Sequence, residues 1–513
     1  MTATARVAGD VGEMLTLAAD RWPDAPAVRD PESGTVTYRQ LLRRVTATEQ
    51  WLRDQGVGPG ARLAVVAQSR TGTVQLLWAT IRIGAVFVPL NPAAPAAVLQ
   101  AMVTDAEPTV IVGAPETISG STAARWVDWP ELDGAAASAR PPGDPEPHPD
   151  DLCMLLYTSG TTAAPKGVMC PHRSVRFAVE AIQQRLRYTA EDVIFNRLPL
   201  SFDYGLYQAL LAARAGACLV LAGPGNDPAL LRRIGDSEAT VLPLLPTLGN
   251  MIERLRRRSG PVTSVRLITN TGAAMPERLR QSLREIFPAA SLALMYGITE
   301  CKRVTIMEPD GDLARPRSAG RPLDGLEIQV LDADGNRLPP MSVGELHVRG
   351  PSVMAGYWRD EEQTESRFVR CAGTSERMLR TGDFGYLDQD GYLYFEGRRD
   401  DIFKHNGARM NTQEIESAAQ QVPGVELAAL LIPSGDDEPM VLAVAGDAVD
   451  PPSVLSELRR HLEQVKMPEV CVLVPEMPMT PNGKIDKAKL REYCAAGLPG
   501  NREVSASGPG ARP

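Results

Sequence analysis

Short apolar runs alternate with amphipathic stretches along the first 115 residues, and this alternation limits the possible folds more than any other feature. Thr37 can cap an amphipathic helix over 38–55, and a second helix is predicted over 71–83. The apolar runs predict buried strands at Arg62–Ala67, Ala85–Leu90 and Pro108–Gly113. Strands that alternate with helices predict an α/β fold with a largely parallel sheet.

The pattern changes twice further along the chain. A second α/β run covers about 151–310, after an Ala- and Pro-rich stretch at 134–150 that we expect to be a surface linker. From about 318 to 396, short strands such as Leu326–Leu331 and Gly344–Arg349 are separated by Gly and Asp turns, which predicts an antiparallel sheet or small barrel.

The last part of the chain predicts a compact α+β unit. We expect strands near Ala428–Ile432, Val441–Val444 and Val470–Val474, and a helix over Pro452–Gln464. The predicted organisation is a large N-terminal domain, 1–398, built of two α/β subdomains and a small barrel-like sheet. A small mobile C-terminal domain, 399–497, and a disordered tail, 498–513, follow it.

Composition excludes several classes of function. Hydrophobic residues make up 43% of the chain and charged residues 23%, as in ordinary globular proteins. A net charge of −9 argues against a nucleic-acid or anionic-membrane partner. No apolar run approaches 18 residues and no signal peptide is evident, so we expect a cytoplasmic protein without membrane spans. The seven cysteines and five histidines show no metal-ligand spacing.

The segment Tyr157–Gly167 has the composition of an anion-binding loop. It follows an apolar strand, and its small residues let backbone amides approach an anion closely. Lys166 adds a mobile positive charge. The spacing is not that of the Walker loop. The hydroxyl donors and the glycine of this loop are Thr158, Ser159, Gly160, Thr161 and Thr162.

This loop resembles the signature of the adenylate-forming superfamily, which includes acyl-CoA synthetases, nonribosomal-peptide adenylation domains and beetle luciferases. Ala163 departs from the glycine that is usual there. Five further segments resemble motifs of the superfamily, in the same order: Asn270–Pro276, Met295–Glu300, Arg380–Asp383, Tyr392–Glu416 and Pro478–Asp486. The resemblance covers residues from about 12 to 495.

The resemblance implies an ATP site with magnesium. Tyr296 would stack on adenine, Asp383 would accept hydrogen bonds from the ribose hydroxyls, and Glu300 would hold Mg²⁺. Arg398 would meet ribose or phosphate. The implied nucleotide contacts are Thr158, Ser159, Gly160, Thr161, Thr162, Lys166, Gly272, Ala273, Ala274, Tyr296, Thr299, Asp383, Arg398 and Lys484.

The resemblance also implies two half-reactions. Lys484, Thr299, Glu300 and Lys166 would carry the catalysis, with Lys484 bridging the substrate carboxylate and the α-phosphate. The C-terminal domain would then rotate about a hinge at Asp400, which replaces Lys484 by a face used in thioester formation. The implied residues of that face are Lys404, Gly407 and Arg409.

The acid pocket is implied near the helix that begins within Leu198–Tyr207. Asp203 either holds the α-ammonium group of an amino acid or caps this helix. Arg303, with Lys302, either binds a second anionic group or forms structural salt bridges, and the salt bridges are the favoured interpretation. The predicted pocket residues are Phe202, Asp203, Tyr204, Tyr207, Asn270, Met295, Gly297 and Arg303.

Together these motifs predict ATP-dependent activation of a carboxylic acid as an acyl-adenylate, with release of pyrophosphate and then thioester formation with coenzyme A. The alternative is adenylation of an amino acid or other acid, with transfer to the phosphopantetheine of a discrete carrier protein. An inactive nucleotide-binding module is the remaining alternative. The composition suggests natural-product biosynthesis, and we expect a monomer or homodimer.

Overall fold

The computed structural model describes residues 10–113, 124–129, 147–158, 165–223, 227–256, 260–370, 377–405, 408–433, 438–446, 449–480, 484–495 and 504–505. The predicted linker falls outside these ranges except for 147–150. The predicted tail also falls outside them, except for Val504–Ser505, which pair with a strand of the C-terminal domain.

The first large sheet has nine strands in the order β15-β14-β13-β12-β11-β9-β10-β1-β2. Its centre is parallel, and its two edges are antiparallel pairs. The strands, numbered along the chain, are β1 (Pro26–Asp30), β2 (Gly34–Thr37), β9 (Val193–Asn196), β10 (Cys218–Leu221), β11 (Val241–Leu244), β12 (Leu267–Asn270), β13 (Ser291–Ile298), β14 (Lys302–Ile306) and β15 (Arg321–Pro322).

The second large sheet has seven strands in the order β18-β8-β7-β4-β3-β5-β6. The predicted strands pair in parallel at its centre, which confirms the parallel arrangement expected from the alternating pattern. Its members are β3 (Arg62–Val66), β4 (Val86–Leu90), β5 (Val110–Val112), β6 (Arg125–Val127), β7 (Leu152–Thr158), β8 (Lys166–Pro171) and β18 (Gly356–Tyr357).

An antiparallel sheet of five strands follows, as the turn-rich pattern predicts. It contains β16 (Glu327–Leu331), β17 (Gly344–Arg349), β19 (Phe368–Arg370), β20 (Arg377–Leu387) and β21 (Leu393–Arg398). The C-terminal domain holds a hairpin and a four-stranded sheet. Its strands are β22 (Ile402–His405), β23 (Ala408–Asn411), β24 (Val425–Leu431), β25 (Val441–Gly446), β26 (Val470–Leu473) and β27 (Val504–Ser505).

The helices cover the large sheets and the C-terminal sheet. The predicted cap of the second helix is present: the Thr37 side chain accepts from Gln40 N, and Gln40 Oε1 accepts from Thr37 N. The helices are α1 (Glu13–Arg21), α2 (Tyr38–Asp54), α3 (Thr71–Arg82), α4 (Ala96–Ala106), α5 (His172–Leu186), α6 (Asp203–Ala215), α7 (Leu230–Asp236), α8 (Pro246–Leu255), α9 (Glu277–Ile286), α10 (Glu361–Arg367), α11 (Thr412–Ala419), α12 (Pro451–Leu458) and α13 (Lys487–Ala495). Of the helices in the described part of the chain, none combines the length and apolarity needed to cross a bilayer.

One predicted helix is too long. We expected a helix from Pro452 to Gln464, but α12 ends at Leu458. The carbonyl of Leu458 accepts hydrogen bonds from both His461 N and Leu462 N, each at 2.9 Å, so a tight turn replaces the last predicted turns of helix.

The C-terminal domain packs against the large domain through α8 and β24. Asn250 Nδ2 donates to the carbonyl of Glu426 at 3.1 Å, and the Arg254 guanidinium forms an ion pair with the Glu426 carboxylate. Asn411 Nδ2 also donates to the carbonyl of Glu396 across the junction. These contacts join the C-terminal part of the chain to α8 and to β21.

Candidate active site

The predicted site residues collect where parallel strands of the first large sheet end. The carboxyl ends of β9, β11, β12 and β13 lie at the same edge of this sheet because the strands run in parallel. Ligands of open α/β sheets bind at this edge. Asn270 closes β12, and the turn that holds Thr299 and Glu300 follows β13.

A buried carboxylate forms one side of the site. Asp383 is 2% exposed, and its Oδ2 accepts a hydrogen bond from Tyr296 Oη at 2.7 Å. Its Oδ1 lies 3.3 Å from Arg398 Nε but is buried without a hydrogen-bond partner among the described residues. Burial raises the pKa of Asp383, while Arg398 and the Tyr296 hydroxyl oppose that rise. An acceptor that lacks a donor fits a ribose hydroxyl.

Tyr296 is mostly enclosed by the protein. It is 8% exposed, and its ring lies against Phe395 with centroids 5.7 Å apart. The predicted adenine loop is more open, with Ala273 and Ala274 exposed and Gly272 at φ +85°. Stacking of Tyr296 on adenine therefore stays a prediction, whereas its hydrogen bond to Asp383 is a contact that the motif did not reveal.

Glu300 offers a second buried carboxylate on the same side. It is 9% exposed, and its Oε1 accepts from Tyr357 Oη at 2.7 Å. Lys166 Nζ lies 6.0 Å from the centroid of the same tyrosine ring. A carboxylate oxygen is the ligand type that Mg²⁺ prefers, so Glu300 fits the predicted metal role. Within the described ranges, no group of three or more His, Cys, Asp and Glu side chains has a geometry that could hold a metal ion.

Lys484 reaches the same region from the C-terminal domain. Although Lys484 has exposed surface, burial of its ammonium lowers the pKa, and nearby Arg398 lowers it further. Three carboxylates of the large domain act in the opposite direction: those of Asp203, Asp383 and Glu300. The ammonium is therefore within electrostatic reach of Arg398 and of these three carboxylates, and its bridging role stays a prediction.

Asp203 starts α6 but does not cap it. The cap position is Phe202, which makes no side-chain cap, so the interpretation of Asp203 as a helix cap is wrong. Instead, Asp203 Oδ2 lies 3.3 Å from Arg303 Nη1, and both side chains are buried. The Arg303 guanidinium also lies over the Tyr204 ring, 4.7 Å from its centroid. The structure thus shows the salt bridge that was the favoured interpretation of Arg303.

Lys302 is a fully buried cation beside this pair, with 0% exposure. Its ammonium donates to the carbonyl of Thr299 at 2.9 Å and lies 5.5 Å from the centroid of the Tyr207 ring. Across the described part of the chain, no carboxylate forms an ion pair with it. Lys302 and Arg303 are therefore adjacent buried cations that both lie over the Tyr207 ring.

Other predicted pocket residues are buried as well. Asn270 is 3% exposed, and its Nδ2 donates to the carbonyl of Leu244 at 3.3 Å. Met295 is also buried, at 7%. Tyr207 Oη, like Thr271 Oγ1, is a buried polar atom that finds no hydrogen-bond partner in the described chain. Unpartnered polar atoms are costly in a protein interior, and here they lie beside residues predicted to bind the acid.

Gly297 is required by the close approach of two strands. A Cβ at this position would lie 1.8 Å from the carbonyl oxygen of Lys302, a separation that real atoms do not adopt. The register between β13 and β14 shifts between Tyr296 and Gly297, which brings Lys302 under the turn that carries Glu300. Gly297 is therefore a backbone requirement of the site.

Several predicted residues fall outside the described part of the structure. They are Ser159, Gly160, Thr161 and Thr162 of the phosphate loop, Gly407, and the side chains of Asp400, Lys404 and Arg409. Their assigned roles stay predictions. Thr158 and Lys166, which border the loop, pair with each other across β7 and β8.

Sequence reasoning missed Tyr357. It lies in β18, far from every predicted motif in sequence, and it contacts two predicted catalytic residues. The short Gly356–Tyr357 pair has no chemical signature of its own.

The family model described as AMP-binding enzyme matches residues 15–358. Pyochelin synthetase PchF of Pseudomonas aeruginosa is 32% identical over 428 residues, which cover 80% of this chain and 23% of that protein. The chain therefore spans about a quarter of the length of this relative.

Two further relatives match over most of their own length. Indoleacetate–CoA ligase of Aromatoleum aromaticum is 28% identical, and the match covers 98% of that protein and 95% of this chain. The L-proline–[L-prolyl-carrier protein] ligase of Streptomyces coelicolor is 28% identical, and the match covers 92% of that protein and 89% of this chain. Among solved structures, the complex of VinN with L-aspartate is 38% identical, with a TM-score of 0.70 over 76% of this chain and 99% of that one.

Proposed function

Because the chain belongs to the family of AMP-binding enzymes, within the adenylate-forming superfamily, we propose that it adenylates an amino acid that carries a second carboxylate. The aminoacyl group then passes to a thiol. The observation that carries this proposal is a pair of adjacent buried cations: Arg303 is ion-paired with Asp203, whereas Lys302 forms no ion pair with a carboxylate of the described chain. A buried cation without a carboxylate partner is costly, so an anionic ligand group would stabilise this pocket.

The arrangement also suits an ammonium group. The Asp203 carboxylate lowers the cost of a buried positive charge, and it lies close enough to Lys484 to raise the pKa of that lysine. An amino acid bound with its ammonium at Asp203 therefore lies beside the catalytic lysine. Its second carboxylate would meet Lys302 and Arg303. The similarity to VinN, one structure of which is a complex with L-aspartate, supports an acidic amino acid.

Three residues would have separate roles in the first half-reaction. Asp383 would hold the ribose, and Glu300 would hold Mg²⁺, which neutralises phosphate charge when it is bound. Lys484 would stabilise the negative charge that gathers as the substrate carboxylate attacks the α-phosphate. No side chain needs to form a covalent bond, so catalysis rests on positioning and charge.

An amino-acid substrate favours a discrete carrier protein as the acceptor. Of the two named relatives that match over most of their length, the one that takes an amino acid is a carrier-protein ligase, and the other is a CoA ligase for indoleacetate. We therefore propose transfer to a carrier-bound phosphopantetheine, the alternative of the sequence analysis. Coenzyme A, the first prediction, is the second candidate acceptor.

Acid-dependent release of pyrophosphate tests the substrate class. The panel contains acidic amino acids, their amides, the corresponding dicarboxylic acids without an amino group, and aryl acids. We expect release with an acidic amino acid and a loss of about 100-fold or more with its amide, because a site with buried polar groups rejects a ligand that leaves them unpaired. Stronger release with an aryl acid than with every amino acid would refute the proposal. Mass analysis with coenzyme A or a pantetheinylated carrier identifies the acceptor.

The variant Lys302→Met tests whether the buried charges of Lys302, Arg303 and Asp203 recognise the substrate or have only a structural role. The variant removes the buried charge and keeps a side chain of similar length. It should lose the preference for the acidic amino acid over its amide, without losing the response to ATP. Lys466→Met is the matched control, because it removes a lysine that pairs with Glu414 in the C-terminal domain. An unchanged preference in Lys302→Met contradicts recognition of a second carboxylate.

A further inference from the structure

One short segment of the chain holds Glu300 at two points. Met354 N donates to the carbonyl of Glu300 at 2.9 Å, and Tyr357 Oη donates to its Oε1 at 2.7 Å. Glu300 lies in the turn after β13, two residues beyond the end of that strand. Its backbone and its side chain are both held by residues more than 50 positions away in the sequence.

This segment is tied to the strand that follows the phosphate loop. Tyr357 pairs with Val168 of β8, and Trp358 N donates to the carbonyl of Gly167 at 2.7 Å. Lys166 begins β8, and its ammonium lies 6.0 Å from the centroid of the Tyr357 ring. The position of Tyr357 is therefore set by the same strand that carries Lys166.

The other side of Tyr357 is packed and buried. Tyr357 is 4% exposed, and its ring meets Phe368 edge to face, with centroids 5.6 Å apart and planes at 75°. Its backbone N donates to Thr364 Oγ1 at 2.9 Å. Nearby, Arg367 Nη2 donates to the carbonyl of Thr381, two residues before Asp383. The hydroxyl of Tyr357 thus has little freedom to leave Glu300.

We propose that Tyr357 is a positioning residue for magnesium: its hydroxyl holds Oε1 of Glu300, which orients the carboxylate and leaves its second oxygen for the cation that accompanies ATP. Groups that hydrogen-bond to a metal ligand fix its orientation, and their loss usually weakens metal affinity by about 10- to 100-fold. The same tyrosine would couple the position of the metal ligand to the strand that bears Lys166.

Binding of Mn²⁺ in the presence of ATP, followed by electron paramagnetic resonance, tests this role. The assay contains no acid substrate, so it measures metal binding without turnover and does not depend on the proposed amino acid. Tyr357→Phe keeps the ring that packs on Phe368 and removes the hydroxyl. We expect the Mn²⁺ Kd to rise about tenfold or more. A Kd within twofold of that of the unmodified protein would overturn the proposal.

Tyr392→Phe is the matched control. It also removes a hydrogen bond from a tyrosine hydroxyl to a glutamate, that to Glu308 Oε2 at 3.3 Å, outside the predicted nucleotide contacts. We expect it to leave the Mn²⁺ Kd unchanged. An equal rise in both variants would mean that the effect is general loosening and would overturn the proposal.

A cycle with Glu300→Gln tests whether the two residues act together. In that background, Tyr357→Phe should weaken Mn²⁺ binding no further, because the ligand that it orients has already lost its charge. A further loss of tenfold would show that Tyr357 acts apart from Glu300. If Tyr357→Phe does not fold, Glu300→Gln decides alone: unchanged Mn²⁺ affinity in that variant refutes the assignment of Glu300 as the metal ligand.

Discussion

Replacement of Asp383 by Asn gives a quantitative test of the nucleotide site. Asp383 Oδ2 accepts a hydrogen bond from Tyr296, whereas Oδ1 is buried without a hydrogen-bond donor in the described chain. A ribose hydroxyl can therefore donate to Oδ1. A hydrogen bond to a charged group contributes about 1.5–3 kcal/mol. Since 1.4 kcal/mol is a factor of ten, Asp383→Asn should raise the Kd for ATP by about 10- to 150-fold.

Isothermal titration with ATP, 2′-deoxy-ATP and 3′-deoxy-ATP locates the contact. The deoxy nucleotide that lacks the hydroxyl bound by Asp383 should bind the unmodified protein weakly, and Asp383→Asn should weaken it little further. Asp388→Asn, which removes the charge of an aspartate paired with Arg315 near the end of β20, is the control and should bind all three nucleotides normally. An equal loss for all three nucleotides in Asp383→Asn would refute the ribose contact.

Three further predictions concern Lys484 and the acid-pocket helix. Lys484→Ala should abolish acid-dependent pyrophosphate release but largely spare thioester formation from a pre-made acyl-adenylate; equal loss in both assays would contradict its role. Because the pKa of Lys484 is below its ordinary 10.5, adenylation should fall as pH rises through that lowered value. Arg398→Gln removes a neighbouring positive charge and should move this fall to higher pH, and an unmoved pH profile would exclude the coupling. Gly205→Ala places a Cβ 2.4 Å from the carbonyl oxygen of Pro199 and should cost about 1–3 kcal/mol of stability, seen as a lower Tm. Gly235→Ala, where a Cβ meets nothing within 4 Å, should leave the Tm unchanged or raised, and equal shifts would refute the packing argument.

The bounds of several helices and strands could be predicted from the sequence, because interactions between residues close in the chain decide them. The helix capped by Thr37 and the strands β3, β4 and β17 lie within one residue of their predicted bounds. Caps, turns and apolar runs involve only a few consecutive residues, so they can be recognised in the sequence. The helix predicted to reach Gln464 ends early, at Leu458, and a hydrogen-bonded turn follows it.

The charges of the acid pocket were visible in the sequence, but their pairing was not. Asp203 and Arg303 are 100 positions apart, on α6 and β14, and they meet only in the folded chain. The alternatives for Asp203, a helix cap or an acid-pocket charge, could not be separated from the sequence, since both place an aspartate at the start of a helix. The N-terminal end of α6 separates them, because Phe202 takes the cap position.

The sequence by itself determined that this chain belongs to the adenylate-forming superfamily, because the residues of each motif are neighbours in the chain and their order is preserved along it. The tertiary structure alone decided which groups share a charge or a hydrogen bond. Tyr357 reaches Glu300, Tyr296 reaches Asp383, and Lys302 lies buried without a carboxylate partner in the described chain. These contacts join residues of separate strands, and only sheet order and register, set by the packing of the whole domain, bring such residues together.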